Sequence, residues 1–156
     1  MEDQAAPAPS GSDGTIRVVA AAILYGGALL LVRKRGTSAF MLPGGKAEPG
    51  EHATETLTRE LAEELGCGLT HAGVVLLGRF VAPAANEPGR TVHATVYRGM
   101  LDGVPRIGAE IAQMLWYDLD RVPSDGTGPD DTVSVPLAPL LTRHVLPALR
   151  RQAGRA

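Results

Sequence analysis

A single cysteine, Cys67, stands in a chain of 156 residues. That scarcity excludes an intramolecular disulfide framework and any zinc or iron–sulfur site built on several thiolates. Aromatic residues make up only 4% of the chain, too few for the stacking platforms that hold single-stranded nucleic acid. The formal net charge is −2, so no global basic field recruits nucleic acid or an anionic membrane. The most apolar stretch, Val18 to Val32, is broken by Gly26 and Gly27 and is too short to span a bilayer. The first residues lack the basic start and apolar run of a secretion signal, which makes a cytoplasmic location the expectation. What is abundant is punctuation. The 19 glycines and 12 prolines argue for short elements joined by turns rather than a helical bundle.

Residues 1–14 (MEDQAAPAPSGSDG) predict a disordered leader, 15–150 a single domain, and 151–156 a flexible basic tail. Pro123 to Asp131 reads as a polar loop. Ile16–Leu24 and Ala28–Lys34 are aliphatic and β-branched around Tyr25-Gly26-Gly27, the pattern of a hairpin. Further strands are predicted at Val74–Val81, Thr91–Met100 and Met114–Asp118. Along Thr91–Tyr97, Val92, Ala94 and Val96 alternate with His93, Thr95 and Tyr97, so the two sets lie on opposite faces. Helices are predicted over His52–Leu65 and Leu137–Gln152. Strands before, between and after two helices give an α/β layered domain with a mixed sheet.

The stretch that carries chemistry is Leu42–Cys67, LPGGKAEPGEHATETLTRELAEELGC. Ala53, Leu57, Leu61 and Leu65 recur every four residues as a buried stripe. Glu60, Glu63 and Glu64 stand at i, i+3 and i+4, a spacing at which like charges repel by a few tenths of a kcal/mol per pair. Glu63 and Glu64 also occupy the last turn, where the helix dipole disfavours anions. A solvated acidic face is the bland explanation of an ordinary helix, but it leaves this clustering and placement unexplained. Violated local preferences mark functional sites. A hard divalent cation turns the repulsion into shared attraction, and all-oxygen ligands point to Mg²⁺ or Mn²⁺. Arg59, the only basic side chain of that helix apart from His52 at its start, can hold a carboxylate in its planar fork.

Ahead of the helix, Pro43-Gly44-Gly45-Lys46 closes a short strand. Paired glycines let the backbone approach a ligand and offer carbonyls to a metal or amides to a phosphate. Taken alone, Gly-Gly is also an ordinary turn. Glu51 sits at the helix start, where an anion suits the dipole, and is either structural or a member of the metal cluster.

Gly45, five residues, Glu51, seven residues, Arg59-Glu60-Leu61, one residue, Glu63-Glu64, one residue, Gly66-Cys67 resembles the Nudix box of the Nudix (MutT-like) hydrolases. With seven fixed residues, a chance match is below about one in a million. Cys67 departs from the aliphatic residue usual there, a change that concerns local packing only.

The resemblance implies an α/β/α sandwich with a mixed sheet between helices. It implies a metal-dependent pyrophosphohydrolase cleaving the diphosphate of a nucleoside triphosphate or nucleoside diphosphate derivative, such as a (d)NTP, a nucleotide sugar or an ADP-ribose type compound. By position, Glu60, Glu63, Glu64 and the Gly44 carbonyl look like ligands of Mg²⁺ or Mn²⁺, with Arg59 orienting the cluster. Glu110, six residues before Trp116, resembles the acid that many members add from outside the box, and either it or Glu64 would take the proton from water. Gly45, Lys46, Arg35, Phe40, Arg79 and His93 are the candidate substrate-binding residues. Phe40 either stacks a base or plugs the core. Arg33, Lys34 and Arg35 form a basic run suited to phosphate, and a solvated edge is its commoner use. The expected partner is a small nucleotide, with no stable nucleic acid and no membrane. Many members dimerise, so a homodimer is compatible. The competing readings are a ligand-sensing module that has lost catalysis, against which the intact box argues, and an isomerase, against which the single cysteine argues.

Overall fold

The computed structural model describes residues 14–108, 110–120 and 135–153. The leader, apart from Gly14, and the polar loop Pro123–Asp131 lie outside these residues. Six strands and two helical segments follow in the order β1 (Thr15–Tyr25), β2 (Ala28–Lys34), β3 (Gly44–Gly45), α1 (Ala53–Leu65), β4 (Val75–Pro83), β5 (Thr91–Gly99), β6 (Ile111–Asp118), a π-helical turn (Leu141–Val145) and α2 (Leu146–Ala153). Gly26 and Gly27 both have positive φ, 59° and 81°, which closes the β1–β2 hairpin with a turn that only such residues adopt readily.

The sheet order is β4-β5-β1-β2-β6, with β3 paired to β1. β1 runs parallel to β5 and the other pairs are antiparallel, so the sheet is mixed. Beyond Leu24 the two hairpin strands part, and the chain from Met41 to Gly45 fills the gap. Met41 bonds Val32, while Pro43 and Gly44 bond β1. The site grows in that wedge.

Both faces of β1 and β2 are covered, which is why these strands read as continuous apolar runs. On one face Val19, Ala21, Ile23, Leu30 and Val32 meet Leu57, Leu61 and Leu65 of α1. On the other, Ala20, Ala22, Leu29 and Leu31 join Ala94 and Val96 against Leu141, Val145, Leu146 and Leu149. Each fully buried leucine of the α1 stripe contributes about 1.5–3 kcal/mol.

Helix α1 starts where the His52 N–H bonds Glu55 Oε1 at 2.8 Å and stops at Gly66, left-handed at φ 70°. Its last carbonyls are capped by the loop after β5: Arg106 N–H donates to Leu65 and Gly108 N–H to Glu64, both at 2.8 Å. These amides offset the absence of any basic residue from the last turn.

The sequence pattern needs amendment at three places. β6 begins at Ile111, three residues earlier than predicted. The second helical segment begins at Pro139 rather than Leu137, since Leu137 instead bridges Phe40, and it runs at once into the π turn. Pro147 cannot donate to the carbonyl four residues back, which suits a widened turn at that point. Helix α2 also runs to Ala153, so residues 151–153 of the expected tail are helical. Among the described residues no helix is long and apolar enough to cross a membrane.

Candidate metal and diphosphate site

The two glycines of β3 are required by what comes up against them. Gly44 has φ 147°, and a side chain there would strike the Val19 carbonyl of β1. A side chain on Gly45 would strike the carboxylate of Glu60. The strand therefore lies flat on β1 and leaves room for α1's acids against bare backbone.

Arg59 organises the acids. Its Nε and Nη2 grip Glu51 at 2.7 and 2.9 Å, Nη1 reaches Glu60 at 3.0 Å and Glu63 at 3.4 Å, and Nη2 also bonds the Lys46 carbonyl at 3.0 Å. Paired with Glu51 first and Glu60 next, the guanidinium is held more firmly protonated than usual. The same fork, the Glu48 N–H and the Thr56 hydroxyl pull Glu51 down to about 2. Glu51 is thus the anchor of Arg59, and it does not line the cleft.

Glu64 is the opposite case. It is 5% exposed, and burial pushes its carboxyl up to about 7 against two opposing contacts, the Gly44 N–H at 3.0 Å and Lys34 Nζ at 3.7 Å. One fork-held acid therefore precedes the helix and one desolvated acid stands in its last turn.

A cleft of about 720 Å³ opens over these groups. Gly44, Gly45, Lys46, Glu60, Glu63, Glu64 and Glu110 line it, together with Lys34. Its other end has an apolar floor of Ile16, Val18, Val92 and Leu140, rimmed by the Pro83–Glu87 segment. Among the described residues no three acidic, histidine or cysteine side chains converge on one point as ligands would. Arg59 holds Glu60 and Glu63 toward itself, and Gly44 holds Glu64. The donor set nevertheless suits a hard divalent cation: all oxygen, three carboxylates on one helical arc, and one of them buried where an anion is costly without a partner.

Four expected substrate contacts lie elsewhere. Phe40 is 4% exposed and packs in the core beside α2, so it plugs rather than stacks. Arg35 is exposed outside the cleft, although its N–H bonds the Glu110 carbonyl at 2.9 Å. Arg79 and His93 are on the sheet face opposite the cleft floor. His93 alternates with Val92, which lines the cleft, and Arg79 stands opposite Thr95 on His93's face. Of the basic run Arg33–Arg35 it is Lys34, not Arg35, that lines the cleft. Its signal was strand parity, because Lys34 shares a face with Leu30 and Val32, which pack on α1. Ile16, Val18 and Leu140 carry no chemical signature that a sequence could show.

A mixed α/β sandwich with glutamates clustered on the helix that follows a Gly-Gly strand is the arrangement of a hydrolase family. The NUDIX domain family model matches residues 15–137, and the chain belongs to that family. Members generally use divalent metal ions. A protein of Escherichia coli (strain K12) named CTP pyrophosphohydrolase is 39% identical over 83 residues, 50% of this chain and 57% of its own length. A protein of Bacillus subtilis (strain 168), described as a candidate 8-oxo-dGTP diphosphatase, is 29% identical over 97 residues, 61% of this chain and 60% of its own length. These matches therefore span 60% or less of either relative. The crystal structure of a MutT NUDIX hydrolase from Burkholderia pseudomallei superposes with a TM-score of 0.61 at 28% identity, covering 70% of this chain and 88% of that one.

Proposed function

We propose that this protein hydrolyses the diphosphate linkage of a nucleoside triphosphate or nucleoside diphosphate derivative, with Mg²⁺ or Mn²⁺ held by Glu60, Glu63, Glu64 and the Gly44 carbonyl. The observation that carries the reading is the two-ended cleft. Helix carboxylates with Lys34 and Lys46 lie at one end, and the floor of Ile16, Val18, Val92 and Leu140 lies at the other. A nucleotide has the same polarity, anionic at the diphosphate and largely apolar on the faces of its base. The names of the two relatives, a CTP pyrophosphohydrolase and a candidate 8-oxo-dGTP diphosphatase, support the reaction class.

The metal, when bound, neutralises phosphate oxygens and acidifies the attacking water. The chain's own residues orient the rest. Arg59, anchored on Glu51, fixes Glu60 and Glu63. Lys46 and the Gly45 backbone receive phosphate oxygens. Glu110 accepts the water proton: it lines the cleft, and among the described residues its carboxylate has no hydrogen bond or ion pair. Proton transfer by a positioned acid contributes about 10²–10⁴-fold.

The test is a panel of nucleoside triphosphates, nucleotide sugars and ADP-ribose incubated with Mg²⁺ or Mn²⁺, reading released phosphate, pyrophosphate or nucleoside monophosphate. Turnover abolished by Glu64→Gln is the expected result. No turnover of any member with either metal overturns the proposal.

A further inference from the structure

The carboxylate with the least water around it is already paired with a cation that belongs to the chain. Lys34 Nζ lies 3.7 Å from Glu64 Oε2, with the lysine side chain 35% exposed and the glutamate side chain 6%. The strand pleat selects this residue from the basic run. Arg33 is spent on Gln113 at 2.7 Å and on the Thr37 carbonyl at 2.6 Å, and Arg35 lies outside the cleft. Lys34 alone of the three lines the cleft that holds Glu60, Glu63, Glu64 and Glu110. Arg59 cannot play the same part, because its fork is taken up by Glu51, Glu60, Glu63 and the Lys46 carbonyl. A lysine is a compact charge on a flexible stem, suited to changing partners in a way that a clamped guanidinium is not.

We propose that Lys34 is an exchangeable counter-ion: it pairs with Glu64 in the metal-free protein, is released when the divalent ion takes that carboxylate, and then holds a phosphate oxygen of the substrate. The inference rests on the proposed function for its second half and on the Lys34–Glu64 pair alone for its first. Lys34 is a competitor of the metal and a partner of the substrate, so its removal acts on the two affinities in opposite directions. A residue of merely structural importance would weaken both.

The experiment titrates the full-length protein with Mn²⁺ alone, reading free Mn²⁺ by electron paramagnetic resonance, and separately measures KM and kcat on whichever nucleotide the panel supports. Lys34→Met and the more nearly isosteric Lys34→Gln are expected to bind Mn²⁺ about 3- to 10-fold more tightly than wild type. Lys34→Arg should stay near wild type, and Arg35→Met, with the same change of charge outside the cleft, should leave Mn²⁺ binding unmoved. In the kinetic arm, Lys34→Met should raise KM about tenfold with kcat within about threefold, the signature of a lost uniform binding contact. Mn²⁺ affinity that is unchanged or weaker in both Lys34 variants, or strengthened equally in Arg35→Met, overturns the proposal, as does a wild-type protein that binds no Mn²⁺. Tighter Mn²⁺ binding by the variants of a protein that cleaves no nucleotide refutes the proposed reaction and leaves the counter-ion role standing.

Discussion

The Gly44 amide donates to Glu64 Oε1 at 3.0 Å across twenty residues of chain, tying the strand that opens the box to the last turn of the helix that closes it. Burial of that carboxylate outweighs this bond and the Lys34 charge, so Glu64 titrates at about 7 instead of 4.5. A raised acid destabilises the fold where it must ionise. The cost is absent below pH 4.5, grows through the interval to about 7, and is constant above it. For the metal-free protein we expect Glu64→Gln to be more stable than wild type above pH 7 by up to about 3 kcal/mol, and no more stable at pH 4. Thermal or denaturant unfolding across this range checks it, and a gap independent of pH refutes it.

Glu51 has the reverse sign. Arg59 and the Glu48 amide depress it to about 2 from 4.5, so its contribution is present above pH 4.5 and lost as pH falls toward 2. Glu51→Gln should lower the melting temperature at pH 6 and converge with wild type near pH 2. Arg59→Lys, which loses the two-pronged grip, should lower kcat by about 10- to 100-fold, because Glu60 and Glu63 lose their common anchor. Equal kcat in Arg59→Lys would show that the fork is dispensable.

Added Mg²⁺ or Mn²⁺ should raise the melting temperature, by a free energy of about 2.7 kcal/mol at a hundredfold excess over Kd. Chelator should reverse the gain, and Glu60→Gln should abolish most of it. A melting temperature indifferent to metal in the wild-type protein speaks against the site.

Gly108 joins the helix end to Glu110. A side chain there would strike the Glu63 carbonyl, and its amide caps Glu64. Gly108→Ala should therefore displace Glu110 and reduce kcat, whereas Glu110→Gln should reduce it by about 10²–10⁴-fold with an unchanged melting curve. Retained activity in Glu110→Gln would transfer the proton-accepting role to Glu64.

Phe40 and Val92 separate core from cleft. Phe40→Ala should cost about 3–5 kcal/mol of stability as a buried aromatic truncation. Val92→Asp should raise KM for nucleotide more than it lowers stability, since Val92 is half-buried in the cleft floor. Steady-state kinetics beside denaturant melts distinguish the two.

The chemistry of this protein was legible locally, because it is written within one strand–loop–helix segment. The period of four in Ala53, Leu57, Leu61 and Leu65 fixes which side of α1 is buried. Three glutamates in adjacent turns violate helix preference enough to announce a site, and Gly44 and Gly45 stand where bare backbone is needed. Alternation also divided β5 correctly into two faces. Which face lines the cleft was not legible, and His93 and Arg79 stand on the face opposite Val92. That choice depends on Ala138, Leu140 and the Pro83–Glu87 segment lining one cleft with Ile16, Val18 and Val92, residues dozens of positions apart and without chemical marking. The same holds for Glu64: its neighbours in sequence make it an ordinary helical acid, and only packing beside Gly44 and Lys34 removes its water. The clustering and spacing of Glu60, Glu63 and Glu64 are readable from the residues alone, since both follow from one helix. Tertiary structure decided the floor of the cleft, the counter-ion and the titration of Glu64, since each is set by what the fold brings alongside.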